Sequence, residues 1–298
     1  MTYECVIIGG GIAGLQAAIQ LGRYGHDVLV IDSEEGRSNL CRSYHNLLGW
    51  PDGVGGSFLR KTGKAQAAKL GVSFEKQRVK AVKKNHDVFV VSTENDQHVE
   101  AKRLLLATGV VDRIPMLKDL RACLGINIYI CPDCDGYEVK GKRVLVLGSG
   151  DTGANMALTL KYWTDEIVYI NHDGAFVGEK LTKQLEQNRI RIHEGPITEI
   201  IRTGDKLKGV VLENEQRIPG RHAFVAFGGN EVKSDLAAQL GIELHHNRHI
   251  LADARTKETS VKNVWAAGDV VAHSEQVAIA MGDGLQAAIW IHKSLISV

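Results

Sequence analysis

The chain has 298 residues, 44% of them hydrophobic and 24% charged, with a formal net charge of +1. That length accommodates two cores, and the composition is that of an ordinary folded protein, which argues against disorder. The near-zero charge leaves no basic stripe for nucleic acid or an anionic membrane. No apolar run is long enough to span a bilayer, and Met1-Thr2-Tyr3-Glu4 runs into a strand pattern without a charged leader. The expected location is therefore the cytoplasm, where five cysteines with no framework agree with a reducing compartment.

In chain order, Cys5 to Ile8 reads as a buried parallel strand, followed by Gly9-Gly10-Gly11-Ile12-Ala13-Gly14 and a helix over Leu15 to Leu21. Gly9, Gly11 and Gly14 satisfy G-x-G-x-x-G, with Ile12 and Ala13 opening the helix: a tight turn, room for a pyrophosphate, and close packing of helix on strand. The next strand, Asp27 to Ile31, ends in Asp32, where an acid accepts hydrogen bonds from an adenosine ribose. Ser38 to Gly56, which contains Cys41 and His45, reads as a long loop able to fold over a bound cofactor. Phe58 to Leu70 reads as a helix, and Val72 to Phe74, Val79 to Val82, Val88 to Val91 and His98 to Ala101 as a small antiparallel insert. Arg103 to Leu106 is a further buried strand running into Ala107-Thr108-Gly109, whose small residues let backbone approach a cofactor.

Cys131-Pro132-Asp133-Cys134 follows the apolar run Ile126 to Ile130. A strand followed by a helical turn would face Cys131 toward unpaired N–H groups and the positive end of the helix dipole, favouring thiolate. A zinc site needs two more ligands, and Cys5, Cys41 and Cys123 offer no second pair. A purely structural disulfide stabilises little across so short a loop. Redox chemistry is the reading that remains.

Val144 to Leu147 then leads into Gly148-Ser149-Gly150-Asp151-Thr152-Gly153 and a helix over Ala154 to Tyr162, a second dinucleotide-type unit. Its next strand, Glu166 to Ile170, ends near Asp173, placed for a ribose 2′-hydroxyl, and Asn171 to Val177 contains no arginine for a 2′-phosphate. By this reading Gly148, Gly150, Asp151, Thr152 and Asp173 bind the second nucleotide. Strands over Ile190 to His193, Ile197 to Ile201, Gly209 to Leu212 and Ala223 to Phe227 complete the unit. Val264 to Ala266 is a short strand ending at Gly268-Asp269, with Asp269 placed for a cofactor hydroxyl. A long amphipathic helix beginning at Gln276 and Val277 points its N-terminus at the same cofactor.

Gly9 to Gly14, Ala107-Thr108-Gly109, the Cys131 to Gly136 segment and Ala267-Gly268-Asp269 occur in the order and spacing of the low-molecular-weight thioredoxin reductases, which the chain resembles over nearly its whole length. The resemblance implies an α/β protein of two Rossmann-like three-layer nucleotide-binding domains, the second inserted into the first. An FAD domain of residues 1–112 and 232–298 would be interrupted by a pyridine-nucleotide domain of residues 113–231 carrying the disulfide, in a homodimer. It also implies Cys134 facing the flavin, Cys131 exchanging with a thioredoxin-like protein or a small dithiol or disulfide, and Asp135 handling protons.

The departures are as informative. Without the family's arginines at Asn171 to Val177, the expectation is NADH over NADPH, or neither nucleotide, because a 2′-phosphate beside the Asp173 carboxylate costs on the order of 1 to 4 kcal/mol. The Ser38 to Gly56 loop and Trp163-Thr164-Asp165 look more like the branch containing the gliotoxin-type dithiol oxidases, which hand electrons to oxygen. That branch carries histidine after the second cysteine, whereas this chain has Asp135. Three readings stand: an FAD-dependent disulfide reductase, a dithiol oxidase using oxygen, and a non-catalytic flavin redox sensor.

Overall fold

The structure is a computed structural model and describes residues 2–296. The chain begins with β1 (Thr2–Ile8), α1 (Ile12–Arg23), β2 (Val28–Asp32), α2 (Gly56–Ala68), β3 (Ser73–Lys76), β4 (Val79–Asn85), β5 (Val88–Thr93), β6 (His98–Leu106) and β7 (Val110–Val111). It continues through α3 (Leu120–Cys123), β8 (Ile128–Tyr129), α4 (Pro132–Asp135), β9 (Val144–Gly148), α5 (Gly150–Leu160), β10 (Ile167–Asn171) and α6 (Glu179–Gln187). There follow β11 (Arg191–Glu194), β12 (Ile197–Thr203), β13 (Lys206–Leu212), β14 (Arg217–Pro219) and β15 (His222–Ala226). The last elements are β16 (Glu231–Val232), α7 (Asp235–Gln239), β17 (Val264–Ala266) and α8 (Val277–Ile296).

These elements form two compact units. The first comprises the chain up to Leu40, Val54–Val111 and the chain from Glu231; the second comprises Cys41–Gly53 and Asp112–Asn230. The loop read from sequence as part of the first unit therefore contributes Cys41–Gly53 to the second.

In the first unit the sheet order is β3-β2-β1-β6-β5-β4, with β17 also pairing β6. Strands β3, β2, β1, β6 and β17 run parallel, and β4 and β5 continue the sheet antiparallel. Both faces of the parallel strands are covered, so each strand is apolar at successive positions. Val6, Ile8, Leu29 and Ile31 enter one core, and Cys5, Ile7, Val28 and Val30 the other. One strand departs from the sequence reading. The segment after Gly71 is not part of the antiparallel insert: β3 extends the parallel edge, Leu29 pairing Ser73 and Ile31 pairing Glu75. The short run of alternating residues carries no mark of strand direction, which the crossover through α2 sets instead.

The second unit is built likewise on a parallel sheet, β11-β10-β9-β15-β8, with β12, β13 and β14 as a separate antiparallel sheet. Leu145, Leu147, Val168 and Ile170 enter one core, Val144, Val146, Ile167 and Tyr169 the other. The fold is α/β with two Rossmann-like units. Among the described residues no helix is long and apolar enough to cross a membrane.

Candidate redox centre and nucleotide turns

In the second unit, strand β8 delivers the chain to Cys131, which stands at the N-cap of α4 and is disulfide-bonded to Cys134 with a Cα–Cα separation of 5.3 Å. The Cys134 N–H donates to Cys131 Sγ at 3.2 Å, so the helical turn directs a donor onto this sulfur, as the strand-then-turn reading expects. Such a donor also stabilises a thiolate there. The following residue, Asp135, is partly buried, and its carboxyl is pushed up to about 7 by desolvation, then by repulsion from Glu138. An acid poised near neutrality beside a dithiol pair can give and take protons under working conditions.

Gly136 completes the turn because Trp163 lies against it: a Cβ there would come within 2.7 Å of the indole. Trp163 holds Tyr162 edge-on at 5.1 Å. The sequence showed Trp163 as a feature of a branch, not as a wall of the redox turn. Cys41, in the same unit, is no competing nucleophile, since burial pushes its thiol up to about 12. Among the described residues no group of three or more metal-binding side chains converges.

In the first unit the turn between β1 and α1 carries the first glycine motif. Gly9 has φ +106°, and a Cβ there would lie 2.2 Å from the Ala107 carbonyl; one on Gly14 would lie 1.9 Å from the Gly9 carbonyl. Those two glycines are demanded by the protein's own packing. Gly11 differs: its φ is −74° and a Cβ would meet nothing within 4 Å. Its smallness is not required by the chain and fits the approach of a ligand pyrophosphate to backbone N–H groups. The turn therefore suits a dinucleotide.

The acids expected around that turn are already engaged. Asp32 closes β2 and pairs with Arg60 of α2 at 2.5 Å, while Asp269 pairs with Arg37 at 3.0 Å. Arg37 also meets Glu275. The Ala107 N–H donates to Ile8 O at 2.9 Å, Thr108 donates to the Lys233 carbonyl at 2.5 Å, and Gly109 O accepts the Lys233 N–H at 3.0 Å. Ala107-Thr108-Gly109 thus anchors the returning chain beside β1. Gly268 is buried, and α8 opens at Val277, with Gln276 directly before it.

The second glycine turn is occupied differently. The Gly150 N–H, at the start of α5, donates to Asn171 Oδ1 at 2.9 Å, and a Cβ on Gly150 would meet Phe176 O at 3.0 Å and the Ala175 Cβ at 3.2 Å. Asp151 accepts the Gly178 N–H at 2.8 Å, and Thr152 lies against Gly228. A donor that would meet a pyrophosphate is spent within the chain. Asp173 is not alone, contrary to the local sequence reading: Arg113 reaches it at 3.2 Å. The sequence stretch holds no arginine, but the fold supplies one. This removes much of the repulsion expected against a 2′-phosphate. Asn171, 1% exposed, is structural, and also donates to Ala175 O and to Glu194, each at 2.8 Å.

The family profile described as pyridine nucleotide-disulphide oxidoreductase matches residues 3–284. The chain belongs to the pyridine nucleotide-disulphide oxidoreductases. Within this oxidoreductase family its likeness is to the thioredoxin reductases. It is 29% identical over 295 residues to the thioredoxin reductase of Treponema pallidum, covering 96% of this chain and 95% of that protein. It is 26% identical over 297 residues to the bifunctional thioredoxin reductase/thioredoxin of Mycobacterium leprae, covering 96% of this chain and spanning 64% of that protein's length. Among solved structures it resembles HlmI, with 29% identity, a TM-score of 0.87 and coverage of 99% of this chain and 93% of that one. Like those relatives' names, the Cys131–Cys134 disulfide marks a thioredoxin-reductase-like disulfide oxidoreductase.

Proposed function

We propose that this protein passes electron pairs between FAD, held at the Gly9 to Gly14 turn, and the Cys131–Cys134 disulfide, and exchanges that disulfide with a thioredoxin-like protein or a small disulfide. The observation that carries this reading is the disulfide at the N-cap of α4, followed directly by an acid that titrates near 7. The open face of Gly11 supports FAD at the first turn, with Asp32, Ala107, Thr108, Asp269 and Val277 completing its surroundings. When bound, FAD supplies the two-electron couple that opens and closes the disulfide.

The chain's own part is thiol–disulfide exchange. In the dithiol state, the Cys131 thiolate attacks a substrate disulfide; the substrate S–S bond breaks, a mixed disulfide forms, and one substrate thiolate leaves. Cys134 then attacks Cys131 Sγ, restoring the internal disulfide and releasing the second substrate thiolate. Asp135 donates a proton to one leaving sulfur and solvent supplies the other. The donor N–H of Cys134 favours charge on Cys131 Sγ, which supports Cys131 as the exchanging thiol and leaves Cys134 to face the flavin. This reading carries with it a homodimer working in the cytoplasm.

A second reading has its own support. Because the Gly150 turn is closed by Asn171 and the Ala175–Phe176 backbone, electrons enter from a small dithiol, which is oxidised to its disulfide, and oxygen leaves as hydrogen peroxide with the two electrons and two protons. An anaerobic titration following flavin bleaching separates the two. Bleaching by NADH or NADPH supports the reductase. Bleaching by a dithiol alone moves the assignment to the oxidase, and bleaching by none of them removes both.

A further inference from the structure

Charged side chains meet inside the first unit at a carboxylate that the glycine turn does not use. Asp283 of α8 is 4% exposed and accepts three hydrogen bonds. Gly268 N–H donates to Oδ2 at 3.0 Å, His273 Nε2 to the same oxygen at 2.5 Å, and Lys257 Nζ to Oδ1 at 2.9 Å. Lys257 is itself buried and has φ +62°, a left-handed conformation that strains a residue with a Cβ. A buried ion pair is a poor source of stability, since apolar side chains of similar volume serve as well. A strained lysine brought to a buried carboxylate therefore asks for another explanation.

The bonding favours the protonated ring. His273 Nδ1 faces the Ser274 carbonyl at 2.9 Å and Nε2 faces the Asp283 carboxylate, and both are acceptors only. Imidazolium, with both ring nitrogens donating, is the form that these two acceptors favour. The hydrogen bond to Asp283 raises the His273 pKa, against the opposing effects of burial and Lys257. The charged groups facing His273 are Asp283 from α8 and Lys257 from the segment ahead of β17.

What this cluster grips is the segment joining β17 to α8, which carries Gly268 and Asp269. It grips it at the level of the glycine turn: a Cβ on Gly268 would lie 2.9 Å from the Ala13 Cβ, and one on Gly284 would lie 2.1 Å from the Ala13 carbonyl. We propose that Lys257, Asp283 and His273 are positioning residues that clamp Gly268–Asp269 for the dinucleotide, and that the clamp is tightest while His273 carries its proton. The inference rests on FAD binding at the first unit.

The test is titration of apoprotein with FAD, followed by flavin fluorescence between about pH 5.5 and 9, for the parent, His273→Gln and Asp283→Asn. A histidine with a raised pKa contributes fully below its ordinary value and is lost as pH rises through the raised one. The parent is expected to bind FAD tightly at the acid end and roughly tenfold more weakly at the alkaline end, a change of about 1.4 kcal/mol in binding. His273→Gln should bind FAD weakly at every pH, and its apoprotein should lose the extra stability that the parent shows at the acid end; Asp283→Asn should also bind weakly. A parent that binds FAD beside a His273→Gln variant of equal affinity and equal pH dependence overturns the clamp alone. A parent that takes up no FAD overturns the underlying functional reading, and the clamp with it.

Discussion

Arg113 and Asp173 are 60 residues apart in sequence and 3.2 Å apart in the fold, at the end of the second unit's second nucleotide strand. The pair is well exposed, so its loss costs at most about 1 kcal/mol of stability. On the proposed reading its effect on nucleotide choice should be larger. Asp173→Asn should leave Arg113 facing any 2′-phosphate and improve NADPH relative to NADH by about tenfold, equal to about 1.4 kcal/mol. The ratio of the two dissociation constants measures this, and an unchanged ratio removes Asp173 from nucleotide discrimination. Arginine at Asn171 is a poor design, because it severs three hydrogen bonds made by a buried side chain.

Cys134→Ser should abolish dithiol–disulfide turnover while the protein keeps its yellow colour, because the thiol pair relays electrons and does not build the first unit's nucleotide turn. Turnover assays and the flavin spectrum of the same sample decide it. Residual activity comparable to the parent would make the disulfide a bystander.

Asp135 gives the reaction a pH signature. Its carboxyl titrates near 7, so the protonated donor is lost as pH rises through that value, and turnover limited by proton donation should fall. Asp135→Asn should be slower and flat across the same range. Stability follows the opposite sense in the variant. A carboxyl raised above its ordinary value near 3.9 destabilises the fold progressively between that pH and 7, because the native state then holds a proton that the unfolded state has lost. Asp135→Asn should therefore be more stable than the parent at pH 8 by on the order of 1 to 2 kcal/mol, and equal to it near pH 4. Denaturant melts at the two pH values check the sign.

The glycines of the first turn should separate by function. Gly9→Ala places a Cβ 2.2 Å from a carbonyl at φ +106° and should destabilise the apoprotein by about 3 kcal/mol or more. Gly11→Ala meets nothing in the chain, so the apoprotein should melt within about 0.5 kcal/mol of the parent while FAD affinity falls at least roughly tenfold. An alanine at 11 that binds FAD normally would show that no ligand approaches that backbone.

The elements most legible in the sequence are those whose residues answer to one local condition. Val6 to Ile8, Val28 to Ile31 and Val144 to Leu147 are apolar at consecutive positions because both faces of their sheets are covered. The thiol pair was legible because N-cap, turn and acid lie within five residues of one another. Strand β3 was not, since its direction is decided by β2 and α2 and not by its own four residues. Arg60 beside Asp32, Arg113 beside Asp173, and Lys257 and His273 around Asp283 were equally invisible, each being a lone polar residue until the chain folds. Only the sheet order brings such pairs together.

The discontinuous first unit also sets an order of events during synthesis. Strand β6 completes its pairing only with β17, and α1 can seat against the close approach at Gly284 only after α8 exists. The β1–α1 turn, although made first, must wait for β17 and α8, whereas most of the second unit emerges as one uninterrupted segment. Contacts of such long sequence separation form slowly and expose apolar strands meanwhile. A ribosome stalled within α8 should thus carry a protease-resistant second unit and a protease-sensitive first one.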